Sequence, residues 1–301
     1  MTEPLLVVGT GAMACLLSAR LAEAGVPVCM LGTWPEGLAA LQQHGVRRAD
    51  PDGARAFPLR ATADPADCAG IRFALVLVKS WQTERAARQL AQCLPADGLA
   101  LTLQNGLGNR ETLARHLGDG RVALGVTTSG ATLLGPGHVR PGGEGAISVG
   151  AHPRLEPLVA RLRQAGFTVE VVPRTDELVW GKLVVNAAIN PLTALLRVPN
   201  GELLAHPTAR TLMGDLAGEA AAVAAALGVP LPYPDPAAIA EDVARRTAAN
   251  RSSMLQDVER GAPTEIDAIC GAIAQLGEQH DVPTPVNRAL WLLIKAVVET
   301  C

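Results

Sequence analysis

The spacing of hydrophobic positions along this chain changes at about residue 173. Before it, short apolar runs such as Leu5–Val8, Val28–Leu31 and Phe73–Val78 alternate with amphipathic stretches, a pattern typical of buried parallel strands joined by helices. Beyond it, almost every segment has helical spacing. We therefore predict an α/β fold with two domains, a Rossmann-type domain over residues 1–173 and an all-helical domain over residues 174–301.

Caps and breakers divide both halves into elements. In the second half we expect helices over residues 176–190, 202 or 208–227, 236–250, 265–280 and 284–300, with Pro191, Gly228 and Pro283 as stops. In the first half, residues 38–60 predict a helix and a hairpin. Short β-type pieces over residues 121–150 predict antiparallel strands that extend the sheet.

The first strand ends in a glycine-rich turn that opens a helix. The turn consists of Gly9, Thr10, Gly11, Ala12 and Met13. Gly9 permits the tight bend, Gly11 lets a pyrophosphate approach the backbone, and the helix N-terminus favours anions. This context favours dinucleotide binding over the alternative of a plain chain turn.

Candidate cofactor ligands follow other strands at their carboxyl ends, where ligands bind in open α/β sheets. Lys79 and Gln82 follow the strand at 73–78, and Asn105 follows the strand at 99–103. An ordinary turn with Asn109 as N-cap is the alternative at 104–109, and both interpretations can hold together. Thr33 follows the second strand, where an acidic residue would indicate NAD and a basic residue NADP. Because Thr33 is neither, this position leaves the choice of cofactor open. Its hydroxyl can donate to a phosphate or cap the next helix.

Three polar side chains lie on one ridge of the helix predicted at 176–190. Lys182, Asn186 and Asn190 are spaced four residues apart among apolar neighbours. Burying a cation and two amides without partners is costly, so the ridge indicates either a functional site or a helix rim that keeps them in solvent.

Six segments together resemble the ketopantoate reductase family over nearly the whole chain. They are GxGxxA at 9–14, VKSWQT at 78–83, QNGLGN at 104–109, GKLVVNAAINPLTAL at 181–195, PNGEL at 199–203 and NRSSMLQDVERGAPTEID at 250–267. The resemblance implies NADPH-dependent reduction of 2-dehydropantoate, a small 2-keto acid, to (R)-pantoate in pantothenate and coenzyme A biosynthesis. It leaves NAD(H) open, because the family's basic residue after the second strand is replaced by Thr33.

The resemblance also implies roles for individual residues. Lys182 would be the general acid, and Glu265 would bind the substrate hydroxyl. The residues that would hold the substrate are Asn105, Asn186, Asn190, Asn250 and Ser253, and those that would contact the cofactor are the 9–13 turn, Thr33, Lys79, Gln82 and Asn105. Without the resemblance, Glu265 is a favourable charge in a first helical turn, and Ser253 is an ordinary helix residue.

Composition narrows the classes of partner and function that remain possible. A formal charge of -3 with no basic run interleaved with aromatics argues against nucleic acid, and we find no apolar run that suggests a membrane span. Six scattered cysteines without metal-ligand spacing indicate reduced thiols, no metal site and a cytoplasmic protein. A homodimer is possible, and the sequence leaves the oligomeric state open. The alternative functions are reduction of another 2-keto acid and a non-catalytic dinucleotide sensor, which Lys182 and Glu265 disfavour.

Overall fold

The computed structural model describes residues 3–300, and the chain divides into two compact units. The first unit holds the residues up to 104 together with 108–175, and the second holds 105–107 together with the residues from 176 onward. The short segment 105–107 therefore belongs to the second unit although the chain on both sides of it belongs to the first. Hydrophobic spacing alone does not predict this exchange.

The first unit contains the strands of the described chain. They are β1 (Leu5–Val8), β2 (Val28–Leu31), β3 (Val46–Asp50), β4 (Gly53–Phe57), β5 (Arg60–Thr62), β6 (Phe73–Val76), β7 (Leu99–Thr102), β8 (Val122–Thr127), β9 (Ala131–Gly135), β10 (His138–Pro141), β11 (Ala146–Gly150) and β12 (Thr168–Val172).

Eight of these strands form one sheet in the order β12-β11-β8-β7-β6-β1-β2-β5. The six strands from β5 to β8 are parallel, and their order is that of a doubly wound dinucleotide-binding sheet. Strand order reverses between β1 and β6, so this is the point where such sheets bind ligands. Every residue of β1, β2, β6 and β7 is buried, which explains their uninterrupted apolar runs.

A second sheet corrects one prediction. Strands β9 and β10 do not extend the main sheet, because they pair with the hairpin β3–β4 in the order β4-β3-β10-β9. Only β11 continues the main sheet antiparallel, against β8, and β12 then pairs parallel with β11. The small sheet packs against the first helix. Local β propensity identified these strands but not their partners, which lie almost a hundred residues earlier.

The α-helices of the described chain are α1 (Ala12–Glu23), α2 (Pro35–His44), α3 (Thr83–Cys93), α4 (Asn109–Leu117), α5 (Glu156–Gln164), α6 (Asp176–Leu196), α7 (Glu202–Ala205), α8 (Pro207–Ala226), α9 (Pro236–Arg246), α10 (Ser253–Glu259), α11 (Cys270–Gln279) and α12 (Pro285–Glu299). The first five belong to the first unit and the other seven to the second.

Helix α6 is the centre of the second unit and continues past its predicted stop. Pro191 lies inside the helix, which ends at Leu196. Helices α8, α9, α10 and α12 pack around it. By length and composition α6 is apolar enough to cross a membrane, but 67% of its apolar window is buried within the protein, as in a core helix. The neighbouring helices supply the packing that lets α6 tolerate a proline.

Candidate functional site

The glycine turn after β1 has the geometry expected of a dinucleotide fingerprint. Gly9 has a φ of +126°, and a Cβ there would lie 3.1 Å from the backbone of Leu77, beside β6. Gly11 is the exposed N-cap of α1, and a Cβ on it would meet no atom within 4 Å. Gly9 is therefore required by the fold, whereas Gly11 leaves open space at a helix N-terminus. These residues fit a bound pyrophosphate.

The rest of the turn is held by its neighbours. Thr10 is buried, and its methyl group packs so closely on Gly32 that a Cβ there would be only 2.5 Å away. Ala12 and Met13, partly buried, begin α1. The packing of Thr10 on Gly32 fixes the turn relative to the end of β2.

Thr33 lies exposed after β2, and one of its two expected roles is wrong. Helix α2 begins at Pro35 with Trp34 as its cap residue, so Thr33 is not the N-cap. The neighbouring strand β5 is followed by Asp64, whose carboxylate accepts a hydrogen bond from the N–H of Ala66. The segment that would contact the adenosine ribose thus carries a hydroxyl, and an acid follows the adjacent strand β5.

A buried polar network joins the ends of β6 and β7. Gln104 donates from Nε2 to the carbonyl of Val78 (3.0 Å) and to Thr83 Oγ1 (2.8 Å). The Thr83 hydroxyl also lies 2.8 Å from Asn109 Oδ1. Lys79 and Gln82, both partly buried, lie in the loop fixed by this network. Asn109 is the first residue of α4 and not its N-cap, which is Gly108.

The predicted ridge is present on α6. Lys182 and Asn186 are partly buried, and Asn190 is buried. Burial lowers the pKa of Lys182 from 10.5 to about 8, and the opposing attraction of the Glu265 carboxylate raises it. A lysine with such a pKa holds its proton at neutral pH and releases it readily.

Glu265 is the acidic partner of this lysine. It is 5% exposed, and its Oε2 accepts a hydrogen bond of 3.2 Å from Asn105 Nδ2. The backbone N–H of Leu107 donates to the carbonyl of Ala268 (2.9 Å), and a Cβ on Gly106 would lie 2.6 Å from Ala268. The glycine at 106 thus permits segment 105–107 to pack against the segment that carries Glu265, which brings Asn105 and Glu265 together.

Glu265 does not lie in the first turn of an α-helix. It caps a 3-10 turn over Ile266–Ala268, and α11 begins only at Cys270. Its carbonyl accepts hydrogen bonds from the N–H groups of Ala268 and Ile269. The tight turn fixes the backbone of Glu265 by short-range contacts.

The two remaining predicted substrate residues lie near the start of α10. Asn250 and Ser253 are exposed, while Ser252 is buried and caps α10 by accepting from the N–H of Leu255 (3.1 Å). Ser252 Oγ also lies 2.7 Å from Thr193 Oγ1 on α6. That buried bond ties α10 to α6, three residues beyond Asn190.

Sequence reasoning missed several residues that support the site. Asn200 lies in the PNGEL motif. Its backbone N–H donates to the carbonyl of Asn250 (3.0 Å), and its Nδ2 donates to Thr247 Oγ1 (2.9 Å). Thr193 and Gln104 serve similar anchoring roles. Asn200, Thr193 and Gln104 each lie inside a family motif, which indicates that the segment matters but does not identify the contact of each residue.

The five cysteines within residues 3–300 are buried and free, and Cys301 lies outside the described residues. Over the same span, no three His, Cys, Asp or Glu side chains group so that they could hold a metal ion. The polar groups described at this site are an ammonium group, a buried carboxylate and several amides.

Comparison with known proteins agrees with this geometry. A family model described as ketopantoate reductase PanE/ApbA matches residues 5–154, and the model of that family's C-terminal part matches residues 175–298. The chain is 39% identical to the 2-dehydropantoate 2-reductase of Archaeoglobus fulgidus, over 97% of this chain and 96% of that protein.

Solved structures show the same fold. A PanE/ApbA family ketopantoate reductase from Ralstonia eutropha JMP134 superimposes with a TM-score of 0.92 and 32% identity, covering 99% of both chains. A D-mandelate dehydrogenase in a ternary structure with NADH and anilino(oxo)acetate superimposes with a TM-score of 0.92 at 24% identity, over 99% of both chains. The second likeness is one of fold alone.

Proposed function

Because this chain belongs to the ketopantoate reductase family, we propose that it reduces 2-dehydropantoate to (R)-pantoate with NADPH as the hydride donor. The observation that carries the chemistry is the half-buried Lys182, whose lowered pKa of about 8 is balanced by the buried carboxylate of Glu265. We assign cofactor binding to the domain of residues 1–173 and substrate binding to the domain of residues 174–301. We also propose that the protein acts in the cytoplasm.

Lys182 acts as the general acid. Addition of hydride to the C2 carbonyl builds negative charge on its oxygen, and the Lys182 ammonium stabilises that charge and transfers a proton from Nζ to it. The product is an alcohol, and the neutral amine then regains a proton from solvent. With a pKa of about 8, Lys182 starts each turnover protonated at pH 7.

Glu265 and the amides orient the substrate. A carboxylate held by Asn105 at 3.2 Å accepts a hydrogen bond from the substrate hydroxyl, and its negative charge keeps Lys182 protonated. Asn186 and Asn190 extend from Lys182 along the same helix face and supply amide donors, while Asn250 and Ser253 bind the substrate carboxylate. Position and charge, without a covalent intermediate, lower the barrier.

The cofactor supplies a hydride when bound. Residues 9–13 hold its pyrophosphate, where the open space over Gly11 and the N-terminus of α1 accommodate an anion. Lys79, Gln82, Thr33 and Asn105 bind the remainder. NADH is the second candidate, because no basic side chain follows β2 at Thr33 and the adjacent strand β5 is followed by the carboxylate of Asp64.

A kinetic panel tests this proposal. We expect kcat/KM for 2-dehydropantoate with NADPH to exceed the values for other 2-keto acids and for NADH. A clear preference for another 2-keto acid would replace the named substrate, and a preference for NADH would replace the named cofactor. Cofactor binding without reduction of any keto acid would indicate a non-catalytic sensor.

A further inference from the structure

Two cysteine side chains from different elements meet inside the first unit. Cys29 lies on β2, and Cys68 ends a short 3-10 helix over Pro65–Cys68. Their sulfur atoms are 3.7 Å apart, although the residues are 39 positions apart in the chain. Both side chains are buried and free. Two thiols in contact need only a small displacement to form a disulfide bond.

The two sulfur atoms are carried by elements of different rigidity. Strand β2 lies inside the main sheet, between β1 and β5. The 3-10 helix lies outside the sheet and is held to β5 through Asp67, whose carbonyl accepts from Arg60 (3.0 Å) and whose carboxylate accepts from Thr62. Closing the sulfur–sulfur distance from 3.7 Å to the about 2.05 Å of a disulfide bond therefore moves the 3-10 helix and not the sheet.

An oxidant reaches the two thiols through the same 3-10 helix. Over residues 63–70, all of which the structure describes, Cys68 is buried and its neighbours are exposed or partly buried. Short 3-10 helices at the surface open locally at a small cost in free energy, because few contacts hold them. Such an opening admits a hydroperoxide to both sulfur atoms while the sheet stays folded.

The hydrogen bond between the thiols prepares one of them for reaction. It lowers the pKa of Cys29, because the Cys68 thiol stabilises the Cys29 thiolate, and it raises the pKa of Cys68. The thiolate is the nucleophile in thiol oxidation. Its attack on hydrogen peroxide breaks the O–O bond and gives a sulfenic acid and water. The Cys68 sulfur then attacks the sulfenic sulfur, which forms the S–S bond and releases a second water.

We propose that Cys29 and Cys68 are a reversible redox pair, which a hydroperoxide converts into a disulfide bond and a dithiol restores. Cys29 lies four residues before Thr33, which we assign to the cofactor, and Cys68 lies four residues after Asp64. The bond moves the segment after β5 relative to the segment after β2 and so weakens cofactor binding. This consequence rests on the proposed function, whereas formation of the bond does not.

Thiol counting by mass spectrometry tests the bond. The full chain is used as Cys301→Ser, which removes the cysteine outside the described residues and leaves five. Reduced and denatured, it should take up five N-ethylmaleimide groups, and after oxidation by hydrogen peroxide two fewer. Dithiothreitol should restore the original number. Peptide mapping of the oxidised protein should identify one linked pair of peptides, joined between Cys29 and Cys68.

Three further substitutions in this background serve as controls for the mapping. Cys29→Ser and Cys68→Ser should each give no linked peptides. Cys93→Ser should still give them, since Cys93 lies on α3, which packs against the 3-10 helix, and its thiol donates to the carbonyl of Gln89 (3.4 Å). Retention of all five thiols after oxidation, or linked peptides that join other cysteines, would overturn the redox pair.

Calorimetric titration with NADPH tests the consequence for the cofactor. We expect the Kd to rise at least about threefold on oxidation and to return on reduction, because a displacement of well under an ångström already disturbs a binding site. Cys29→Ser should keep its Kd under the same treatment. An unchanged Kd in protein that carries the bond would overturn the link to the cofactor. A reduced protein that does not bind NADPH would instead contradict the proposed function.

Discussion

Removing the charge of Glu265 tests the proposed influence of this carboxylate on Lys182, the proposed general acid. In Glu265→Gln the side chain keeps its shape and an acceptor oxygen for Asn105, but it loses the negative charge that raises the pKa of Lys182. Burial, which lowers that pKa, is unchanged. The pKa of Lys182 must therefore fall below its present value of about 8.

The size of the effect follows from the protonated fraction of Lys182. A close opposite charge shifts a pKa by roughly one to three units, and we take one unit as the minimum. At pH 8 about half of the wild-type lysine is protonated, compared with about one eleventh at a pKa of 7, which is a loss of about fivefold. At pH 6 both forms are protonated, so this part of the loss disappears.

The assay is kcat/KM for 2-dehydropantoate from pH 6 to pH 10. Wild type is expected to lose activity above about pH 8, and Glu265→Gln to lose it at least one unit earlier, in addition to any pH-independent loss from weaker substrate binding. Glu278→Gln removes an exposed charge on α11 and serves as the control. If kcat/KM of Glu265→Gln falls at the same pH as in wild type or at a higher pH, the electrostatic coupling between Glu265 and Lys182 is refuted.

Three further predictions concern stability, the cofactor and the support of Glu265. Lys182 has a lower pKa folded than unfolded, so its burial penalty is relieved as it deprotonates and its own contribution to stability should rise by about 3 kcal/mol between pH 8 and pH 10.5. Because buried cysteines contribute with the opposite sign, the measurement is the difference in urea unfolding free energy between wild type and Lys182→Met, which should rise by about this amount over that range. Gly11→Ala should raise the calorimetric Kd for NADPH at least tenfold without loss of Tm, whereas Gly218→Ala, also in open space, should leave it unchanged. Asp267 lies in the 3-10 turn that follows Glu265, and its carboxylate contacts Trp291 (2.7 Å) and Lys295 (3.2 Å). Asp267→Asn weakens both contacts and should lower kcat a few-fold and alter the fluorescence of Trp291, whereas the control variant Glu278→Gln should change neither.

Local sequence signals predicted the elements that depend on near neighbours. The sequence predicted β1, β2, β6 and β7 because each strand is buried on both faces and is therefore a continuous apolar run. The glycines at 9 and 11 predicted the turn over residues 9–13. The ridge on α6 followed from helical periodicity, and the family resemblance is confirmed by the matches over both parts of the chain.

Features that depend on contacts between distant parts of the chain could not be predicted from local sequence. Pro191 is a breaker by local rules, yet α6 continues through it because packing from several helices stabilises the segment. Strands β9 and β10 pair with β3 and β4, so their sheet depends on residues far earlier in the chain. The glycine at 106 indicates a close approach, but only the structure identifies Ala268 as the group approached.

The same limit applies within the site. Ser252 and Ser253 are adjacent, and nothing in their immediate sequence distinguishes the buried cap from the exposed residue. The assignment of Ser253, Asn250, Asn186 and Asn190 to the substrate stays a prediction. The pairing of Asn105 with Glu265 joins residues 160 positions apart, which no local pattern encodes.

Lys182→Ala is the variant that tests whether Lys182 supplies the proton in reduction of a 2-keto acid. The measurement is steady-state turnover of 2-dehydropantoate by the variant, with NADPH binding measured in parallel by calorimetry. We predict that kcat falls by about 10² to 10⁴, the usual contribution of a general acid, while the Kd for NADPH stays within a few-fold of wild type. Normal turnover of 2-dehydropantoate by Lys182→Ala would show that Lys182 is not the proton donor.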